Sequence, residues 1–284
     1  MSATVFLSVL FAAFLHAAWN AMVKGVGNKE QAMLGVVLGH MPIALLTMPF
    51  VPVPGLSSVP WLLAGIALHF GYQIFLVAGY RVGDLTQVYP IARGSAPIIV
   101  AAVSVGLLGT VLSGMEALAI GLIAAGILSI ALVRRADGGR NPHAVAMALI
   151  TGCFIASYSL VDGIGARVAG TALGYWSWAA VGNAIAFTAW TALKRPELLR
   201  SLSRDRRAIV LGLSGGAASY LAYAIVIWGF TQAPIAQVTA LRETSIVFAL
   251  VIGVGVLRER LNLAKVVSTF VTILGAALLR FSSN

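Results

Sequence analysis

Arg93 and the adjacent pair Arg242 and Glu243 lie deep inside long apolar stretches of this chain. An ionised side chain at bilayer depth is costly and is kept there by a partner, a water-filled cavity or a function. The spacing links these charges. Residues 79–97 and 229–247 align at a shift of 150, which sets Gly79 on Gly229, Gln87 on Gln237, Val88 on Val238 and Ser95 on Ser245. In the same frame Arg93 falls opposite Glu243. A guanidinium and a carboxylate at equivalent places in two copies of one segment can staple the copies together. They can also hold an anionic ligand, or make and break as a gate. Pro90 and Pro97 flank Arg93, and proline inside a helix frees carbonyls and bends the axis.

Weaker constellations surround this one. His16, Trp19 and Asn20 share one helical face, either as a cavity wall or as an interfacial anchor with a satisfied histidine. His16 also titrates near neutrality and is a candidate proton carrier. Tyr158, Ser159 and Asp162 occupy the corresponding place in the second half, with Asp162 either on the cavity or at the membrane surface. His69, Tyr72 and Gln73 stand opposite Ser219, Tyr220 and Tyr223 in the repeat frame, as two aromatic-polar patches of one chamber. His40 has no obvious partner. Catalytic signatures are lacking: no His-Glu-x-x-His pair, no Gly-x-Ser-x-Gly elbow and no phosphate loop. The lone Cys153 excludes an intrachain disulfide and a cysteine metal site. No metal or cofactor is expected.

The elements that must carry these residues follow from composition. The 284 residues are 60% hydrophobic and 10% charged, with a mean hydropathy of +0.95. Soluble domains hold about 25% charged residues, so lipid is the solvent for most of this chain. Ten apolar segments approach the roughly 20 residues that a spanning helix needs: 3–23, 31–50, 60–80, 85–108, 116–133, 144–164, 172–193, 208–230, 235–257 and 264–281. They must be helices, because lipid satisfies no free backbone group. The stretch Met1 to Leu15 lacks a basic leader and a clear cleavage site, so it is expected to remain as the first span. The polar break 134–143 separates five segments from five. A duplicated unit with an odd number of spans must enter the membrane in opposite senses, which makes an inverted repeat. The expected fold is therefore an all-α polytopic membrane protein, ten transmembrane helices as two inverted five-helix repeats. Its units are residues 1–133, a cytoplasmic linker 134–143, and 144–284. Gly35 and Gly39 of span 2, and Gly170 and Gly174 ahead of span 7, suit close helix packing, within the chain or across a dimer.

The net charge of +10 is not a nucleic-acid footprint. Fifteen of the 19 Lys and Arg residues flank the loops after spans 1, 3, 5, 7 and 9, most densely at Lys194, Arg195, Arg200, Arg204, Arg206 and Arg207. Only Arg167 and Arg280 lie in the opposite set. Positive loops stay cytoplasmic, so both termini are expected outside an inner membrane.

The ten segments in two repeats, the closing stretch Leu257-Arg-Glu-Arg-Leu-Asn-Leu with Glu259, and Gly275 in the last helix resemble the EamA-like members of the drug/metabolite transporter superfamily. His16-Ala-Ala-Trp-Asn20 is similar to their first-helix pattern. The resemblance spans nearly the whole chain and rests more on the repeat architecture than on any short motif. It implies transport of small molecules such as amino acids, other metabolites, nucleotide sugars or phosphorylated compounds. The first half departs from the pattern, with Leu107-Leu-Gly-Thr110 where the second half has the motif Glu. Family members are also often drawn with cytoplasmic termini, against the charge count here.

The combined reading is a secondary transporter, working as an exporter of a small polar metabolite such as an amino acid, by alternating access. Its substrate-binding or gating residues are Arg93, Glu243, His16, Trp19, Asn20, Tyr72, Gln73, Tyr158, Asp162 and Tyr223. Protons are the candidate coupling ion, the lipid bilayer is the other partner, and one copy or a homodimer suffices. The competing classes are a non-transporting membrane sensor or scaffold, and an intramembrane lipid-modifying enzyme using His16, His69 or Glu243. The charge count makes one checkable statement: a reporter fused after Asn284 should be active only in its periplasmic form. Activity of the cytoplasmic form instead would overturn the orientation.

Overall fold

The computed structural model describes residues 1–23, 28–83, 85–132, 141–256 and 263–282. Most of the linker 134–143, Asp84, and the stretch around Glu259 lie outside the described residues, as does the side chain of Gln87. Among the described residues all regular structure is helical. In chain order the helices are α1 (Ala3–Val23), α2 (Lys29–Thr47), α3 (Val59–Val82), α4 (Leu85–Gly106), α5 (Gly114–Leu132) and α6 (Pro142–Ala169). They continue with α7 (Ala172–Lys194), α8 (Pro196–Arg204), α9 (Arg206–Gln232), α10 (Ile235–Arg242), α11 (Ser245–Gly255) and α12 (Leu263–Phe281). Among the described residues, seven stretches are long and apolar enough to cross a membrane: α1, α2, α3, α4, α6, α9, and α10 taken with α11.

Local chemistry sets the ends. Asn28 accepts the N–H groups of Glu30 and Gln31 at the start of α2, and Asn141 accepts that of His143 ahead of α6, whose first residue is Pro142. Thr171 and Asp205 cap α7 and α9 through the N–H groups of Gly174 and Ala208. Each cap satisfies a donor that a helix start leaves free. Gly170 closes α6 at φ +71°, a left-handed turn that a Cβ disfavours.

Two departures from the sequence expectation stand out. The basic stretch after α7, read as a loop, contains the helix α8. Pro196 starts it, and Leu198 and Leu202, four apart, are buried on one face. The second concerns the prolines. α4 runs as one helix through Pro90 and Pro97, whereas the ninth segment, expected to be continuous, breaks at Glu243 and Thr244. Three-residue bonds replace four-residue ones there, with Glu243 N–H on the Ala240 carbonyl at 3.0 Å and Thr244 N–H on that of Leu241 at 3.1 Å. The Thr244 hydroxyl also donates to the Leu241 carbonyl, at 2.7 Å. No proline interrupts the residues of this break.

The helices alternate in direction. Glu30 at the start of α2 pairs with Arg81 at the end of α3 and with Arg195 just after α7. Asn141, before α6, donates to the Val82 carbonyl. These contacts gather the basic connections at one end of the bundle. At the other end the Gly55 N–H meets the Ala169 carbonyl, Arg167 donates to the Phe230 and Ala233 carbonyls, and Gln237 donates to Glu116. The halves interlock, with α3 packed along α6 and α9 along α1, while α5 lies against α12.

The glycines read as packing positions divide. Gly35 and Gly39 face Gly212 and Gly216 of α9, inside one chain. A Cβ at Gly39 would stand 2.8 Å from the Gly212 carbonyl oxygen, and one at Gly216 would stand 2.5 Å from the Gly39 Cα. This stripe is spent within the chain and is not left for a dimer. Gly170 is a cap and makes no helix contact, while a Cβ at Gly174 would meet the Pro52 carbonyl oxygen at 2.3 Å. Gly39→Val should therefore lower the thermal stability of the purified protein by the equivalent of about 1–3 kcal/mol, as overpacking does. Gly121→Ala, where nothing lies within 4 Å, should be neutral or better.

Candidate functional site

The break between α10 and α11 places Glu243 between two arginines. Its Oε2 lies 2.6 Å from Arg93 Nε of α4, an ion pair whose N–H does not align as a hydrogen bond. Its Oε1 accepts from Arg242 Nε at 3.3 Å and Nη2 at 3.2 Å. Arg93 Nη2 also donates to the Ser245 hydroxyl at 3.4 Å. All three charged side chains are at most 5% exposed. One carboxylate thus serves two guanidiniums, and the cluster carries net positive charge where α4 of the first half meets α10 and α11 of the second.

Aromatic rings form its walls. The Arg93 guanidinium lies 5.7 Å from the Tyr89 ring centre, and that of Arg242 lies 5.9 Å from both Tyr158 and Tyr223. The negative faces of such rings attract a cation that water cannot reach. Tyr72 meets Tyr158 edge-on at 5.6 Å. The structure therefore brings together Arg93, Glu243, Tyr72, Tyr158 and Tyr223 of the expected residues.

Asp162 is not exposed on the surface of the fold. It is fully buried in α6, and three other helices converge on it. His69 Nε2 of α3 is 2.8 Å from its Oδ2, the Tyr223 hydroxyl of α9 donates to the same oxygen at 2.8 Å, and the Tyr175 hydroxyl of α7 donates to Oδ1 at 3.3 Å. A carboxylate so far from water is tolerated only with its lone pairs engaged. Gly65 makes room, since a Cβ there would stand 2.5 Å from Asp162 Oδ1. The His69 ring stacks on Tyr158 at 4.1 Å and lies 5.7 Å from Trp176. Tyr158 and Tyr223 are thus shared between this pair and Arg242.

The first-helix residues behave differently. Trp19 Nε1 donates to His16 Nδ1 at 3.3 Å, and Asn20 Nδ2 to the His16 carbonyl at 2.7 Å. Their polar groups bond within their own helix and are half-buried, although His16 lies within electrostatic reach of Arg93 and Arg242. Gln73 is 4% exposed, and its Oε1 has no partner among the described residues. The same holds for both ring nitrogens of His40, which packs on Trp176 at 5.7 Å, and for Asn183 Oδ1. Buried polar atoms of this kind are ordinarily reached by water.

Sequence reasoning singled out Arg93, Glu243 and Asp162 and placed His69 in a chamber wall without a partner, but passed over Trp176, Tyr175 and Tyr89 as site residues. One signal for His69 was present: Gly65, His69 and Gln73 recur every four residues on the buried face of α3. Nothing local marks Trp176.

The all-helical fold and a charged cluster held inside apolar helices define a multi-pass membrane protein. Residues 143–281 match the model of the EamA-like transporter family. The second half of the chain is therefore similar to the EamA-like transporters, which supports a membrane transporter of the drug/metabolite type as its general class. A solved crystal structure superimposes with a TM-score of 0.73 at 17% identity, over 98% of this chain and 96% of the other. That likeness shows the fold alone. No curated protein matches the chain.

The shared carboxylate makes a prediction about stability. Glu243→Gln leaves two buried guanidiniums facing each other, and breaking a buried pair in this way costs about 3–5 kcal/mol. Thermal denaturation of the purified variant should show a large loss. Arg93→Met combined with Glu243→Gln should be less damaging than the two single effects added together. Strict additivity would mean that the pair is not coupled.

Proposed function

We propose that this protein is an inner-membrane secondary transporter that exports a small polar metabolite with an anionic group, such as an amino acid or related compound, by alternating access. Ten helices would cross the membrane as two inverted five-helix repeats, residues 1–133 and 144–284, joined by the cytoplasmic linker 134–143. The alternating directions of the helices support this arrangement. α1 ends, and α6 begins, at the end of the bundle where Glu30, Arg81, Arg195 and Asn141 meet. Corresponding helices of the two halves therefore run in opposite senses.

One observation carries the substrate class: two buried guanidiniums share the single carboxylate of Glu243. A ligand carboxylate, phosphate or sulfonate arriving between Arg93 and Arg242 would share their guanidinium donors with Glu243 and accept hydrogen bonds in a planar, two-pronged geometry. The site sits at a helix break between the halves, as midplane sites of repeat-built transporters do. Tyr72, Tyr158 and Tyr223 would line it. Gln73 supplies an unused acceptor, and His16, Trp19 and Asn20 would form its first-helix wall. An approaching anion would compete with Glu243 for the arginines, which gives the ion pair the character of a gate as well as a site.

A toxicity and efflux screen across metabolites, in a deletion strain paired with overexpression, would identify the cargo. Its hits should be enriched in anions. For the strongest hit, Arg93→Ala and Arg242→Ala should each reduce transport in proteoliposomes by about ten- to a hundredfold, the worth of a charged hydrogen bond. Unchanged transport in both variants, or hits confined to cations, would sink this reading.

A further inference from the structure

Two buried charge clusters stand one tyrosine apart. Tyr158 stacks on His69 at 4.1 Å and lies 5.9 Å from the Arg242 guanidinium. Tyr223 donates to Asp162 at 2.8 Å and lies at the same 5.9 Å from Arg242. The two clusters therefore share one low-dielectric compartment, where separated charges interact strongly. With His69 neutral, the positive charges of Arg93 and Arg242 balance the negative charges of Glu243 and Asp162. His16 adds nothing, since its Nδ1 accepts the Trp19 N–H. A monoanion entering this balanced compartment would leave one uncompensated negative charge, which the interior of a membrane protein tolerates poorly.

We propose that the His69–Asp162 pair is a proton-binding site, and that one proton taken up there accompanies each monoanion bound between Arg93 and Arg242. This inference rests on the anion site of the preceding section and names what balances its charge. The pair suits the task, because the acidic and basic partners are already 2.8 Å apart. A proton added to either one turns a singly negative pair into a neutral one without moving a helix. Tyr175 and Tyr223 hold the carboxylate oxygens in either state, since a phenol hydroxyl both donates and accepts. The other titratable or charged groups around the pair are Tyr158 of α6, stacked on His69, His40 of α2 across Trp176, and Arg242 of α10, reached through Tyr158 and Tyr223. His69 comes from the first half, while Asp162, Tyr175 and Tyr223 come from the second. Loading the proton thus acts on the same junction between halves as loading the anion. The two events are linked, and the linkage is reciprocal.

Two measurements on the full-length protein in nanodiscs test this. The chain has four histidines, so spectra of protein labelled with 15N-histidine are simple, and the His69 signal is the one lost in His69→Gln. Followed from about pH 8 to about pH 5, it should report proton uptake at the pair, and that response should change in Asp162→Asn. Separately, thermal stabilisation by methanesulfonate, lactate and glutamate, whose charges are constant over this interval, is followed from about pH 7.5 to about pH 5.5. The wild type should bind at least one of them about tenfold more tightly per pH unit of acidification above the midpoint of the pair, as linkage of one proton requires. Asp162→Asn carries the neutral charge state permanently, so it should bind that anion at about pH 7.5 as well as the wild type does in acid, with no pH slope. A His69 signal that stays fixed across the range, or a slope that persists in Asp162→Asn, overturns the proposal. Absence of stabilisation by any of the three anions at either pH, with His69 still titrating, removes the anion site and with it the co-binding, leaving only the proton site.

Discussion

The constraint on which the rest of this structure depends is a single carboxylate shared by two buried guanidiniums. Glu243 faces two guanidiniums, and no lipid can solvate the difference. The surroundings answer this in physical terms. The ninth segment breaks at the charged residues, so that Arg242 ends α10, where a cation opposes the negative end of the helix dipole. Ser245 opens α11 and accepts from Arg93. Tyr89, Tyr158 and Tyr223 present ring faces to the cations. Each element softens the cost of burying positive charge, and two guanidiniums offer more donors than the one carboxylate of Glu243 accepts, which is what a site for an anion needs.

The same junction explains why the halves interlock rather than sit side by side. α3 packs along α6 and α9 along α1, so the residues of either charge cluster are drawn from both halves. Asp162 receives His69 from one half and two tyrosines from its own. Arg93 reaches Glu243 from the other direction. Close approach of backbones elsewhere, above all at Gly35 and Gly39 against Gly212 and Gly216, replaces the hydrophobic drive that lipid removes between helices. Residues 143–281 match a family model, and a solved structure shares the fold of the whole chain at 17% identity.

Much of the fold could be read in advance. The segment 3–23 is α1, and 172–193 differs from α7 by one residue. Lipid makes this possible, because it demands an unbroken apolar run and forces polar caps to its ends, and both are local in sequence. The misreadings share the opposite cause. α8 is too short for a window tuned to membrane spans, and its stability comes from two leucines docking on the bundle. The prolines of α4 suggested a bend that the helix does not need, while the break in the ninth segment carries no proline. It arises where Glu243 and Thr244 find partners that only the assembled protein supplies.

For the site the division is sharper. The sequence by itself determined that this is a polytopic helical membrane protein and that Arg93, Glu243 and Asp162 are charges out of place. A charge in an apolar run is visible whatever its neighbours, and the repeat frame paired Arg93 with Glu243 because symmetry relates equivalent positions. Only the tertiary structure decided that Arg242 joins that pair, that Asp162 is buried rather than at the surface, and that His69, 93 residues away in the chain, is its partner. The reason is geometric. Helical period tells which face a residue occupies, but not which helix faces it, and the partners of a buried charge are chosen by that second, non-local fact.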